Sequence, residues 1–140
     1  MMKKAGIIVL ICLGVLLLSY IGESIYVSSR VYVAVKDSYL TYGEGNSQSE
    51  LVTDEMYQRL CYRDGYPGST KTDSSLQETN KLLFPITIHW FVGGKTTYWY
   101  TYAVYDTAGE CRGGSWNIPV TVTVAWEEGK LRITDYYEAP

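Results

Sequence analysis

Residues 5–22, AGIIVLICLGVLLLSYIG, hold no charged side chain, and Lys3 and Lys4 stand directly before them. A short positive start followed by a long apolar run addresses a chain to a membrane. A spanning helix needs roughly 17–25 apolar residues, a signal-peptide core roughly 7–15. The run fits the first range. The nearest small-x-small cleavage site is Gly22-Glu23-Ser24, with a charge at its centre. Cys12 sits mid-run between Ile11 and Leu13, which does not suit a lipidated cysteine. The expectation is a retained signal anchor over residues 1–24. Lys3 and Lys4 then stay cytoplasmic and residues 25–140 face outward, giving a single-pass cell-membrane protein. Secretion after signal cleavage is the alternative.

Residues 25–140 suffice for one domain with a core and are too few for two. The chain carries a formal charge of −3. Without Lys3, Lys4 and Glu23 the outer part stands at about −4, and its basic residues are scattered. Nucleic acid is therefore not an expected partner. Cys61 and Cys111 lie outside the apolar run and can close a disulfide in an oxidising compartment; two free thiols are the other outcome. Two such cysteines and one histidine, without close spacing, make no zinc site, and no cofactor motif is present.

Tyr32, Val35, Tyr39 and Tyr42 recur at helical steps, with Ser28 or Ser29 as cap and Gly43-Glu44-Gly45-Asn46 as stop. Thr53 followed by Asp54, Glu55, Met56, Tyr57 and Leu60 predicts a second helix. Ser75-Leu76-Gln77-Glu78 fits a capping box and predicts a short third helix to about Leu83. From Pro85 the period becomes two. Ile86, Ile88, Trp90 and Val92 form the expected core face of a strand, and Gly93-Gly94 signals a hairpin turn. A second strand follows from about Thr96 to Tyr105, then a glycine-containing connection over 106–115. The alternation from Val120 to Trp126, the turn at Glu127-Glu128-Gly129-Lys130 and a last strand complete an antiparallel meander, with the helices as its cover.

The closing stretch VTVTVAWEEGKLRITDYYE resembles the final hairpin of the nuclear-transport-factor-2-like superfamily, with Glu128-Gly129-Lys130-Leu131, Ile133, Asp135 and Tyr136 in the shared positions. Leu131 stands where many members carry Trp. The opening VYVAVKDSYLTYGEGN is similar to the family's first helix. The resemblance implies an α+β fold: short helices packed on a curved antiparallel sheet, forming a cone with a pocket at one end. It implies no particular chemistry, because one fold hosts many functions.

His89 is the one histidine, and Asp135 interrupts the alternation of the last strand. These two are the weak candidates for a catalytic base. Asp106 and Glu110 flank a glycine-containing connection, as solvated turn carboxylates do. The stronger candidates are aromatic. Tyr98, Tyr100 and Tyr102 line one face of a strand, with Trp99 on the other and Trp90 on the neighbouring strand. Such a wall suits a ligand or partner chain, or simply cross-strand packing. The expected function is non-enzymatic: an anchored envelope domain that binds a protein partner, a second copy or a small ligand, as a subunit of an envelope complex. A pocket enzyme for proton transfer or dehydration and a secreted small-ligand-binding protein are the alternatives.

Overall fold

One unbroken helix, α1 (Met2–Leu40), carries the apolar start directly into the folded domain. It contains no proline, so no backbone donor is missing along it. The expected fresh helix capped at Ser28 or Ser29 is therefore corrected: both lie mid-helix, and Ser28 is buried. The computed structural model describes residues 2–63 and 75–139. The most apolar window of α1 has a mean hydropathy of 2.6, and none of it is buried. By length and apolarity the helix is fit to cross a membrane or to act as a signal anchor.

Past that window α1 becomes a one-sided core helix. Val27, Val31, Ala34, Val35 and Tyr39 are buried at three- and four-residue steps. Tyr32 and Tyr42 only flank this stripe, half-buried. The helix closes in a Schellman motif. Gly43 N donates to Ser38 O at 2.8 Å, Tyr42 N to Tyr39 O at 3.4 Å, and Tyr42 takes the left-handed position at φ 58°. The second helix, α2 (Asp54–Arg59), forms as its sequence predicts. Thr53 accepts from Met56 N, Asp54 and Glu55 face the positive end, and Tyr57 is buried.

Among the described residues five strands follow: β1 (Gln77–Leu82), β2 (Ile86–Trp90), β3 (Gly93–Tyr105), β4 (Cys111–Glu127) and β5 (Lys130–Glu138). All pairs are antiparallel. β3 and β4 are central, β5 forms one edge, and β1 and β2 share the other. The chain is thus α+β, with the second half of α1 and α2 against one face of the sheet.

Beyond the connection expected over 106–115, shortened because β4 begins at Cys111, three further expectations about local structure are overturned. The third helix is strand β1 instead. β3 is 13 residues long and β2 covers only its first part, so the remaining edge is open to Gln77–Leu82, with Gln77 opposite Tyr105 and Leu82 opposite Tyr100. The hairpin turn is at Phe91 and Val92, and Gly93 and Gly94 lie inside β3. A Cβ on Gly93 would stand 2.6 Å from Val124 O, and one on Gly94 2.8 Å from Ile88 O, so these glycines serve close strand approach. The third correction concerns the faces of β2. Ile86, Ile88 and Trp90 are 60%, 66% and 49% exposed, whereas Thr87 is buried. Thr87 belongs inside because it joins a buried hydroxyl chain. Its Oγ1 is 2.7 Å from Ser28 Oγ on α1 and 2.9 Å from Thr96 Oγ1 on β3. A paired hydroxyl loses little on burial, so threonine competes with isoleucine for the inner face.

The core between helix and sheet holds Val27, Val31, Val35, Tyr98, Val120 and Val122, with Leu51, Tyr57 and Leu60 beside α2. Cys61 and Cys111 are both free, which corrects the disulfide expectation. Cys61 is buried just beyond α2, and burial pushes its thiol up. Cys111 is exposed at the start of β4, with its Sγ 3.5 Å from Gly113 O.

Candidate functional site

The tyrosine ladder expected to form a binding wall lies inside the protein. Tyr98, Tyr100 and Tyr102 are buried, on the sheet face that α1 covers. Their neighbours occupy the space a ligand would take. Tyr62 stacks on Tyr39 at 4.6 Å and on Tyr100 at 4.7 Å, and Tyr39 meets Tyr102 edge-on at 6.3 Å. This is core packing of the aromatic kind. Tyr100 also donates through its hydroxyl to Glu138 Oε1 at 2.9 Å, which ties β3 to β5.

Burial leaves a mark on the acid–base behaviour of these rings. The Tyr57 and Tyr62 hydroxyls are both pushed from 10.0 up to about 12, chiefly by desolvation. Tyr57 also donates to Asp37 Oδ2 at 2.8 Å, a bond that ionisation would break. The unfolded chain loses these protons near pH 10, before the folded one does. The contribution of these two hydroxyls to stability is therefore full below about pH 10 and falls as the pH rises to about 12. The urea midpoint of the full chain should drop across that window, and Tyr62→Phe should make the drop shallower. A midpoint unchanged from pH 9.5 to about 11.5 would contradict the assignment.

The two candidate bases are separated by the sheet. His89 lies on the side facing α1. Its ring stacks on Tyr20 at 4.2 Å, its Nε2 donates to Tyr20 O at 3.1 Å, and its Nδ1 is 3.9 Å from Glu23 Oε2. With its backbone N also donating to the Tyr20 hydroxyl at 3.3 Å, His89 fastens the end of β2 to α1. Asp135 is exposed on the opposite face of β5. Asp106 caps its turn. Its Oδ1 accepts from Ala108 N and Glu110 N, both at 2.9 Å, and Arg112 Nε donates to Oδ2 at 2.7 Å. These bonds, that from Glu110 N foremost, hold its carboxyl below the usual range. Among the described residues, no three His, Cys, Asp or Glu side chains gather as a metal site.

The open arrangement is the other face of the sheet. Strand register builds two rows across four strands. Ile86, Thr97, Thr121 and Tyr137 form one row; Ile88, Lys95, Thr123 and Asp135 form the next. Trp99 stands beside the first row, and the nine residues line a half-open trough of about 700 Å³. The threonines make a polar floor, with Thr97 Oγ1 and Thr121 Oγ1 3.0 Å apart. Apolar side chains flank it: Ile86 and Ile88 on one edge strand, and Tyr137, 63% exposed, on the other. Lys95 and Asp135 add one charge of each sign. Of the expected aromatic residues, Trp99 lines this trough, and Trp90 lies further along β2. Ile86, Ile88, Lys95, Thr97, Thr121, Thr123 and Tyr137 were missed as site residues. The outward threonines of VTVTV, between buried valines, were the available signal.

No family model matches the chain, and neither a curated protein nor a solved structure matches it.

Proposed function

We propose that this chain is a membrane-tethered, non-enzymatic interaction domain, a subunit of an envelope complex, that docks a protein partner on the open face of its sheet. The observation that carries this is the pair of cross-strand rows, where Ile86, Ile88, Trp99 and Tyr137 frame a threonine floor that no element among the described residues covers. An uncovered antiparallel face is commonly polar; large apolar side chains along both edges of this one suit a protein surface. A half-open trough cannot enclose a small molecule as a ligand pocket does. The inner aromatic wall is already filled by Tyr62 and Tyr39. The separation of His89 from Asp135 by the sheet supports the non-enzymatic reading. Lys3 and Lys4 support placing the domain outside. The nuclear-transport-factor-2-like assignment belongs to the same proposal. Helices on one side of an antiparallel meander support it, and strand β1 in place of a third helix counts against it.

A photoreactive amino acid at Thr121, in the middle of the first row, tests the docking face in the full-length chain in its host membrane. One discrete protein adduct is expected, lost on Ile88→Asp, with none from a probe at exposed Glu55 on α2. An adduct of twice the chain mass would make the partner a second copy. The absence of any adduct at Thr121 would sink the proposal.

A further inference from the structure

The β2–β3 turn lies beside the anchor and is the most apolar exposed tip among the described residues. Trp90, Phe91 and Val92 follow one another there, 49%, 104% and 68% exposed. Turns in water favour Gly, Asn, Asp, Pro or Ser, so three exposed apolar residues need another solvent. Residues 88–94, IHWFVGG, carry no Asp, Glu, Lys or Arg. Leu16, Ser19, Tyr20 and Glu23 of α1 share one cavity, about 510 Å³, with His89, Trp90 and Phe91 of the tip. The contacts of His89 with Tyr20 described above hold tip and helix together.

Helix geometry places this tip at a definite depth. The uncharged run over 5–22 is about 27 Å long at 1.5 Å per residue, close to the ~30 Å of a bilayer core. Its outer end is at Gly22 and Glu23. Tyr20 lies about 4–5 Å inside Glu23, and Leu16 about 10 Å inside it. Side chains that reach Leu16 and Tyr20 are therefore below the level at which α1 leaves the apolar layer. Tryptophan and phenylalanine suit that boundary, where apolar bodies leave water and an indole N–H still finds a partner.

We propose that the β2–β3 tip inserts Trp90, Phe91 and Val92 into the headgroup–acyl boundary of the leaflet from which α1 emerges. The inference rests on α1 spanning the membrane, and it is independent of the docking face. It gives the domain two attachments. A helix alone leaves the domain free to rotate about the helix axis. A second contact stops that rotation and presents the open sheet face in one direction along the membrane.

Vesicles of phosphatidylcholine, part of it brominated near the headgroup end of the acyl chains, test the insertion with the full chain. Bromine quenches tryptophan on contact. All four tryptophans (Trp90, Trp99, Trp116 and Trp126) lie beyond the apolar run. Native protein is expected to be quenched. Trp90→Phe should lose most of that quenching and Trp116→Phe should keep it. Phe91→Asp, at a fully exposed position that the fold does not use, should reduce it as well. Vesicle-bound protein whose quenching is unchanged by Trp90→Phe would overturn the insertion. Protein that fails to float with the vesicles would overturn the anchor, and the insertion with it.

Discussion

Tyr98→Ala should destabilise the folded domain by about 3–5 kcal/mol, whereas Tyr98→Phe should cost nothing or add stability. Tyr98 is fully buried at the centre of β3, opposite Val120. Truncation to alanine removes a ring from a packed interior and leaves a cavity that the strands cannot close. The hydroxyl behaves differently from the ring. It is buried without a hydrogen-bond partner among the described residues. Burying such a group unpaired costs about 1–3 kcal/mol, which phenylalanine avoids. Burial also drives its pKa well above 10.0. Urea unfolding of the full chain in detergent micelles, followed by near-ultraviolet circular dichroism, separates the two effects. A loss of more than about 1 kcal/mol in Tyr98→Phe would show that the hydroxyl has a partner. The pair of variants also bears on function, because a tyrosine kept for ligand binding would use that hydroxyl and one kept for packing would not.

Much of the architecture was legible because local signals agreed with one another. The charge-free run announced the apolar part of α1. Thr53 with its two following acids announced α2. The alternation of Val120, Val122 and Val124 with Thr121 and Thr123 announced β4, and Leu131 and Ile133 fell on the core side of β5. In each case the cap or the period depends on neighbours in sequence.

What stayed hidden depends on partners far away in the chain. Ser75-Leu76-Gln77-Glu78 satisfies the capping-box pattern, yet Glu78 pairs with Arg63, and β1 takes the open edge of β3. Ile86 and Ile88 outrank Thr87 in hydrophobicity, and nothing near them reveals that Ser28 and Thr96 wait to pair with the threonine. The candidate site followed the same rule. The tyrosines of β3 were correctly placed on one face and the tryptophan on the other, but which face the helix covers was a tertiary fact. The two rows of the trough required strand register, which alternation within a strand does not contain.

Arg63→Ala should cost about 3–5 kcal/mol, the range for breaking a buried ion pair by removing one partner. The Arg63 guanidinium lies between two rings, 4.0 Å from the centroids of Tyr39 and Tyr42. Its Nη1 pairs with Glu78 Oε2, and its Nε donates to Tyr39 O at 3.0 Å. The Tyr39 hydroxyl donates to the same Glu78 oxygen at 3.3 Å. The Arg63 and Glu78 side chains are 9% and 17% exposed, so water screens the pair little. Arg63→Lys keeps the charge but loses the planar fork and the stacking, so it should recover only part of the loss. Lys130 and Glu50, 3.6 Å apart and 60% and 80% exposed, provide the contrast. Lys130→Ala should change stability by less than about 1 kcal/mol. The Arg63 cluster joins the end of α1, the segment after α2 and strand β1. Its loss should therefore show first as faster amide exchange in β1 and at its partners in β3 from Tyr100 to Tyr105. If Arg63→Ala cost no more than Lys130→Ala, the cluster would be a surface contact, and β1 would be held by its ladder to β3 alone. If the larger loss is found, β1 is held by the cluster at Glu78 as well as by its ladder, and the β3 segment carrying Trp99 keeps its place at the rim of the open sheet face.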